Sequence, residues 1–172
     1  MAAKSFMRLV SGKLKAIQGV VTSAGAVNDG DLAVLDSTGR FDITTMPVGV
    51  GADVQSIVVE EVAGLAAGDY VNVFDNAGTP KVRLADNSNG RDAHGFVKAT
   101  FADAATAIVY FEGANNDLSG LVAGQRVYLG TSGGVITTPL VPITDTGKIH
   151  QYLGKAISAT EVNTDIADLI EL

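Results

Sequence analysis

The chain has no cysteine and no tryptophan, and only four prolines and two histidines in 172 residues. Without cysteine there is no disulfide framework and no thiolate metal site. His94 and His150 each stand beside an expected strand start, with no carboxylate or second histidine at ligand spacing. Both are read as surface or loop residues rather than metal ligands or general bases. No apolar run approaches the ~18 residues of a membrane span. Residues 1–8 lack the apolar core of a signal peptide. The expectation is a protein made in the cytoplasm with no membrane partner. Catalytic motifs are missing as well. Glu60 and Glu61 are adjacent on an expected strand, so their side chains point to opposite faces. No nucleophile elbow is read in the chain. Gly130-Thr131-Ser132-Gly133-Gly134 lacks the lysine of a phosphate loop and leads into a strand, so no helix N-terminus is available to an anion. The expectation is a protein that is not an enzyme and needs no metal or cofactor.

Acidic residues are absent from residues 1–28, which carry Lys4, Arg8, Lys13 and Lys15. The remainder holds 8 basic and 19 acidic residues, and the whole chain has a net charge of −7. An acidic body argues against nucleic acid as a partner. A basic segment ahead of it is either an arm that meets something acidic or the polar face of a first hairpin. Asp86-Asn87-Ser88-Asn89-Gly90 loosely resembles the start of a calcium loop. Its glycine comes at position five rather than six, and position twelve is Val97 rather than Glu, so turn chemistry is the better reading.

What the chain has in quantity is glycine, 20 residues, and 47 % hydrophobic residues. The glycines are not scattered. Gly64-Leu65-Ala66-Ala67-Gly68-Asp69-Tyr70-Val71 returns as Gly120-Leu121-Val122-Ala123-Gly124-Gln125-Arg126-Val127, at a constant offset of 56. Each copy runs into a second turn, Asp75–Gly78 and Thr131–Gly134. A fainter third copy is read in Gly30–Leu35 with Asp36–Gly39. Glycine turns feeding alternating strands are hairpin devices, since glycine takes the positive φ that other residues resist. Val71 and Val73 face one way and Tyr70, Asn72 and Phe74 the other, the pattern of a half-buried strand. Gly154–Ile157 answers Gly95–Lys98 at an offset of 59. A strand unit that recurs marks a duplicated β domain.

The fold class expected is therefore all-β: an N-terminal hairpin or extended arm, then a β-barrel or sandwich built from a duplicated hairpin unit. Residues 1–50 form the arm and linker, and residues 51–172 the duplicated domain. In the arm, Phe6–Val10 and Lys13–Val21 pair about Ser11-Gly12. Asp42–Met46 is a candidate for one helical turn, and Val162–Leu172 suits either a strand or a helix face. The expected contact residues of the arm are Lys4, Phe6, Arg8, Lys13 and Lys15. Phe6 is the one aromatic of residues 1–28, and the four cations suit an acidic neighbour.

Three segments carry a family resemblance. The first is Ala33–Asp42 with Met46–Asp53. The second is Leu65–Val73 through Lys81–Arg83, Gly95–Val97 and Val109–Gly113. The third is Leu118–Gly130 with Gly133–Val135 and Tyr152–Glu161. Together they span nearly the whole chain, which resembles the capsid decoration (cement) proteins of tailed bacteriophages. The resemblance implies an all-β virion protein without cofactor that sits on the outer capsid surface. It also implies two partners, the major capsid protein and the chain itself as a homo-oligomer, often a trimer. The third segment is also similar to modules on phage tail appendages, so a tail or receptor-binding adaptor is the alternative.

Overall fold

The computed structural model describes residues 5–42, 45–46 and 53–172. It divides into two compact units, Met1–Gly51 and Ala52–Leu172. The described residues are all-β, with no α-helix and a short 3-10 turn at Gly25–Asn28. The expected helical turn at 42–46 is seen at its described residues, where Thr45 N donates to the Asp42 carbonyl at 3.0 Å, while Ile43 and Thr44 lie outside the described residues.

In the first unit, β1 (Ser5–Val10) and β2 (Lys13–Gln18) form an antiparallel hairpin. Its turn residues Ser11 and Gly12 have φ of 51° and 76°, so two positive angles in succession match the twist of the strands. The chain then folds back through a single parallel bridge, Val20 to Ala33. The third repeat copy does not form a hairpin. Residues 29–42 contain no strand, and Asp36–Arg40 is a closed loop with its Oδ1 accepting from Thr38 N, Thr38 Oγ1 and Arg40 N.

The second unit opens with β3 (Val54–Val59), β4 (Tyr70–Asn76), β5 (Thr79–Leu84), β6 (Gly95–Val97) and β7 (Thr106–Tyr110). These close into a barrel in the order β3-β5-β4-β6-β7. Closure is made by a short parallel pairing, Val58 to Lys81 and Val59 to Val82, while β3 runs antiparallel to β7 on its other edge. The barrel is filled by Ile57, Val59, Leu65, Val71, Val82, Val97, Ala107 and Val109. Most are β-branched, which suits a pleated surface with little rotamer freedom to lose.

Strands β8 (Gly113–Asn115), β9 (Arg126–Leu129), β10 (Val135–Ile136), β12 (Tyr152–Ala156) and β13 (Val162–Thr164) make a second sheet in the order β10-β9-β12-β13-β8. Between them in the chain is β11 (Ile149–His150), which pairs with β14 (Ile170–Glu171). Read around the barrel from β5, the first order is β5-β4-β6-β7-β3. The second sheet repeats it strand for strand, but β10 and β8 do not meet.

The correspondence extends to single atoms. Asp69 Oδ2 accepts from Ala66 N, and Gln125 Oε1 accepts from Val122 N, each across the same glycine turn. Val71 pairs with Gly95, and Val127 with Gly154. A Cβ on Gly95 would lie 2.5 Å from the Tyr110 carbonyl oxygen, and one on Gly154 would collide with that of Asn163. Both glycines are thus fixed by a backbone that passes too close for any side chain.

The second copy has its own small core of Leu121, Val127, Ala156 and Val162. Between the copies, Tyr70, Ala85, Ala93 and Phe96 pack on Leu129, Ile149 and Leu153. This corrects the half-buried reading of β4: Tyr70, Val71 and Asn72 are all buried, because one face lines the barrel and the other is covered by the second copy. The last residues form β13 and β14 with no helix between them.

Candidate interaction surface

Register decides which arm side chains stand together. Phe6 lies opposite Ile17, Arg8 opposite Lys15 and Val10 opposite Lys13. Directly paired residues share a face. Phe6, Arg8, Lys13 and Lys15 are therefore on one face of the hairpin, as their spacing requires. Lys4 lies outside the described residues. Arg8 Nη1 donates to the Gly30 carbonyl at 2.6 Å, which ties this face to the 3-10 turn region of its own unit. Phe6, Val10 and Ile17 are half-buried there.

The other face was not singled out from sequence. Leu9 pairs with Leu14 and Met7 with Ala16. Met7, Leu9 and Leu14 are 62 %, 66 % and 68 % exposed. The alternation of the two strands contained this stripe, but Phe6 drew attention to the opposite side. An apolar stripe of three large side chains on a two-stranded sheet is the kind of surface that marks an interaction site.

The residues weighed for chemistry are engaged in structure. His94 Nδ1 accepts from Val73 N at 2.9 Å, and its Nε2 lies 3.0 Å from Asp92 Oδ2. The reading of His94 as a histidine without a carboxylate at hand is corrected: Asp92, two residues away in extended chain, shares its side. His150 packs its ring against Tyr128, with centroids 4.7 Å apart. In the Asp86–Gly90 loop, Asp86 Oδ1 accepts from Ser88 N and Oγ, and Oδ2 from Ser132 N. Burial pushes the Asp86 carboxyl up, but these bonds and the Arg91 charge outweigh it and hold it below the ordinary value. Its lone pairs serve two turns. Among the described residues no group of three or more acidic or histidine side chains is arranged around a metal position.

Gly130-Thr131-Ser132-Gly133-Gly134 does spell Gly-x-Ser-x-Gly, against the reading that no such motif is present. It is the β9–β10 hairpin turn, with Ser132 and Gly133 both at positive φ, and a strand follows it. An elbow needs a helix after the serine.

The surface of the second unit is also indented. A groove of about 860 Å3 carries Asp92, Glu112, Asp165 and Asp168 beside Phe111 and Ile166. A cleft of about 580 Å3 runs between residues 119–121 and β10, walled by Leu121, Val135, Ile136, Leu140 and Val141.

The fold and these surfaces define an all-β protein with a duplicated barrel unit and a separate hairpin. No family model matches the chain, and no curated protein matches it. Among solved structures the chain is similar to the head fiber gp8.5 N base of bacteriophage phi29, with 14 % identity and a TM-score of 0.43, over 66 % of this chain and 94 % of that one.

Proposed function

We propose that the chain is a structural virion protein of a tailed bacteriophage that decorates the capsid, binding the outer surface of the shell and bridging its subunits. The observation that carries this reading is the uncovered Met7, Leu9 and Leu14 stripe on a hairpin held in a unit of its own. The likeness of the three sequence segments to decoration proteins supports the same reading. The work done is adhesion. Many contacts over a large interface stabilise a shell by mass action, with no reaction to catalyse.

Co-sedimentation tests it. The full chain is expected to pellet with emptied capsids and not with isolated tails, and a chain lacking residues 1–21 to lose that binding while staying soluble and β-folded. Pelleting with tails alone makes the protein a tail-appendage or receptor-binding adaptor. Undiminished capsid binding by the truncated chain removes the arm from the mechanism.

A further inference from the structure

The loop between Asp86 and Arg91 is held in its first half and left open in its second. Its ends are fastened by Asp86 N to Arg91 O at 2.7 Å and by Arg91 N to Asp86 O at 3.2 Å. Asn87 is buried. Its N–H donates to the Gly130 carbonyl and its Nδ2 to the Leu129 carbonyl, while Ser88 N donates to Asp86 Oδ1. Asn89 and Gly90 are exposed. Neither the Asn89 side-chain amide nor the Gly90 N–H has a hydrogen-bond partner among the described residues. Gly90 has φ of 75°, and a Cβ placed on it would meet nothing within 4 Å. Asn89-Gly90 is also the chain's single Asn-Gly step.

We propose that Asn89 is a site of spontaneous covalent modification, converting to aspartate and isoaspartate in the folded protein. The Gly90 nitrogen gives up its proton and attacks Cγ of the Asn89 side chain. The new N–Cγ bond closes a succinimide ring. The Cγ–Nδ2 bond breaks, and the amide leaves as ammonia with the proton that Gly90 gave up. Water then adds to one of the two ring carbonyls. Opening at the Cγ–N bond gives aspartate, and opening at the backbone C–N bond gives isoaspartate. Water is the only co-reactant. The loop serves each requirement. An N–H without a partner is open to deprotonation, the missing Cβ of Gly90 clears the approach to Cγ, and glycine lets the backbone turn to bring the two atoms together. Asn87 is the internal contrast. The nitrogen that would attack it belongs to Ser88 and is bonded to Asp86, and its own amide is held by Leu129, so it reacts only after local opening. Either product at Asn89 adds a negative charge to a chain of net charge −7. Isoaspartate also lengthens the main chain by a carbon inside a loop closed by the Asp86 to Arg91 bridge. The inference stands apart from the capsid reading.

The sequence makes a direct test clean. Full-length protein is kept folded at mildly alkaline pH and sampled over weeks, beside the same chain unfolded in guanidinium. Cleavage after Arg83 and Arg91 by trypsin releases residues 84–91, a peptide that carries both asparagines. Fragmentation in a mass spectrometer places the mass gain of amide-to-acid conversion on one or the other. The expected result is that folding slows conversion of Asn87 at least about tenfold more than it slows conversion of Asn89. The Asn89 product is expected as two peptides of equal mass, aspartate and isoaspartate, that separate by chromatography. Equal slowing of the two asparagines overturns the proposal, and so does an Asn89 that stays intact in the folded chain while the unfolded chain converts. Aspartate without isoaspartate overturns it as well, since that product comes from direct hydrolysis and not from attack by Gly90. None of these readouts involves capsids, so the outcome here and the outcome of the co-sedimentation experiment are independent.

Discussion

Gln151 treats Ala93 as a strand partner. Its Oε1 accepts from Ala93 N at 2.7 Å, and its Nε2 donates to Ala93 O at 3.0 Å, joining the copies with a side-chain amide in place of a ladder. The same Nε2 also donates to Ala167 O at 3.0 Å. Gln151 is buried, so no water replaces these bonds. Gln151→Leu keeps the volume but strands the Ala93 N–H and carbonyl. A loss of about 2–4 kcal/mol is expected in urea unfolding, and a loss under about 0.5 kcal/mol makes the clasp dispensable.

Tyr70 joins the copies in a second way. Its ring packs with Phe96 in the shared core, and its hydroxyl lies 3.2 Å from Thr164 Oγ1. Tyr70→Phe keeps the ring and loses only the hydroxyl's bonds, to Thr164 and Asn115, so about 1 kcal/mol is expected. Tyr70→Ala empties the contact and is expected to cost about 3–5 kcal/mol. A ratio near one between the two variants in the same denaturation experiment contradicts this division.

Gly154 has φ of 146° and no room for a Cβ beside the Asn163 carbonyl. Gly154→Ala is expected to destabilise by about 2–3 kcal/mol through overpacking. Gly78→Ala, in an open turn at φ 84°, meets no atom and bears only conformational strain, expected at about 1 kcal/mol. The order of the two melting temperatures checks the claim.

Asp69 and Gln125 fill equivalent turns, but Asp69 lies in the junction between the copies. Burial raises its carboxyl above the ordinary 3.8, and the bond from Ala66 N only partly offsets this. Because the folded value is the higher one, the fold favours the protonated acid. That contribution is complete below 3.8 and disappears as pH climbs through the raised value. Asp69→Asn, which keeps an acceptor for Ala66 N, is expected to melt about 2 °C higher at pH 7 and level with the parent near pH 3. A gap that persists at pH 3 rules out ionisation as its cause.

The barrel unit was legible wherever glycine had no alternative. Gly64 and Gly120 both have φ of 73°, so the repeated letters are repeated backbone angles. The all-β class followed from period two. What stayed hidden depended on neighbours distant in sequence. β8 and β11 have three and two residues, too short to show a period. The burial of both faces of β4 needed the second copy laid over Tyr70. The missing closure of that copy was invisible too, because Val135 reads as a strand residue whether or not its edge has a partner. Register placed Phe6, Arg8, Lys13 and Lys15 on one face, as alternation requires. The exposure of Met7, Leu9 and Leu14 among the described residues depends on packing, which alternation alone does not carry.

The duplication also sets how the second unit unfolds. Leu129, Ile149 and Leu153 of the later copy form a common core with Tyr70 and Phe96 of the earlier one. Opening either copy uncovers aromatic rings belonging to both, so neither has a stable half-folded form to rest in. Two repeats in sequence therefore melt as a single cooperative transition, and what arose as two modules behaves thermodynamically as one.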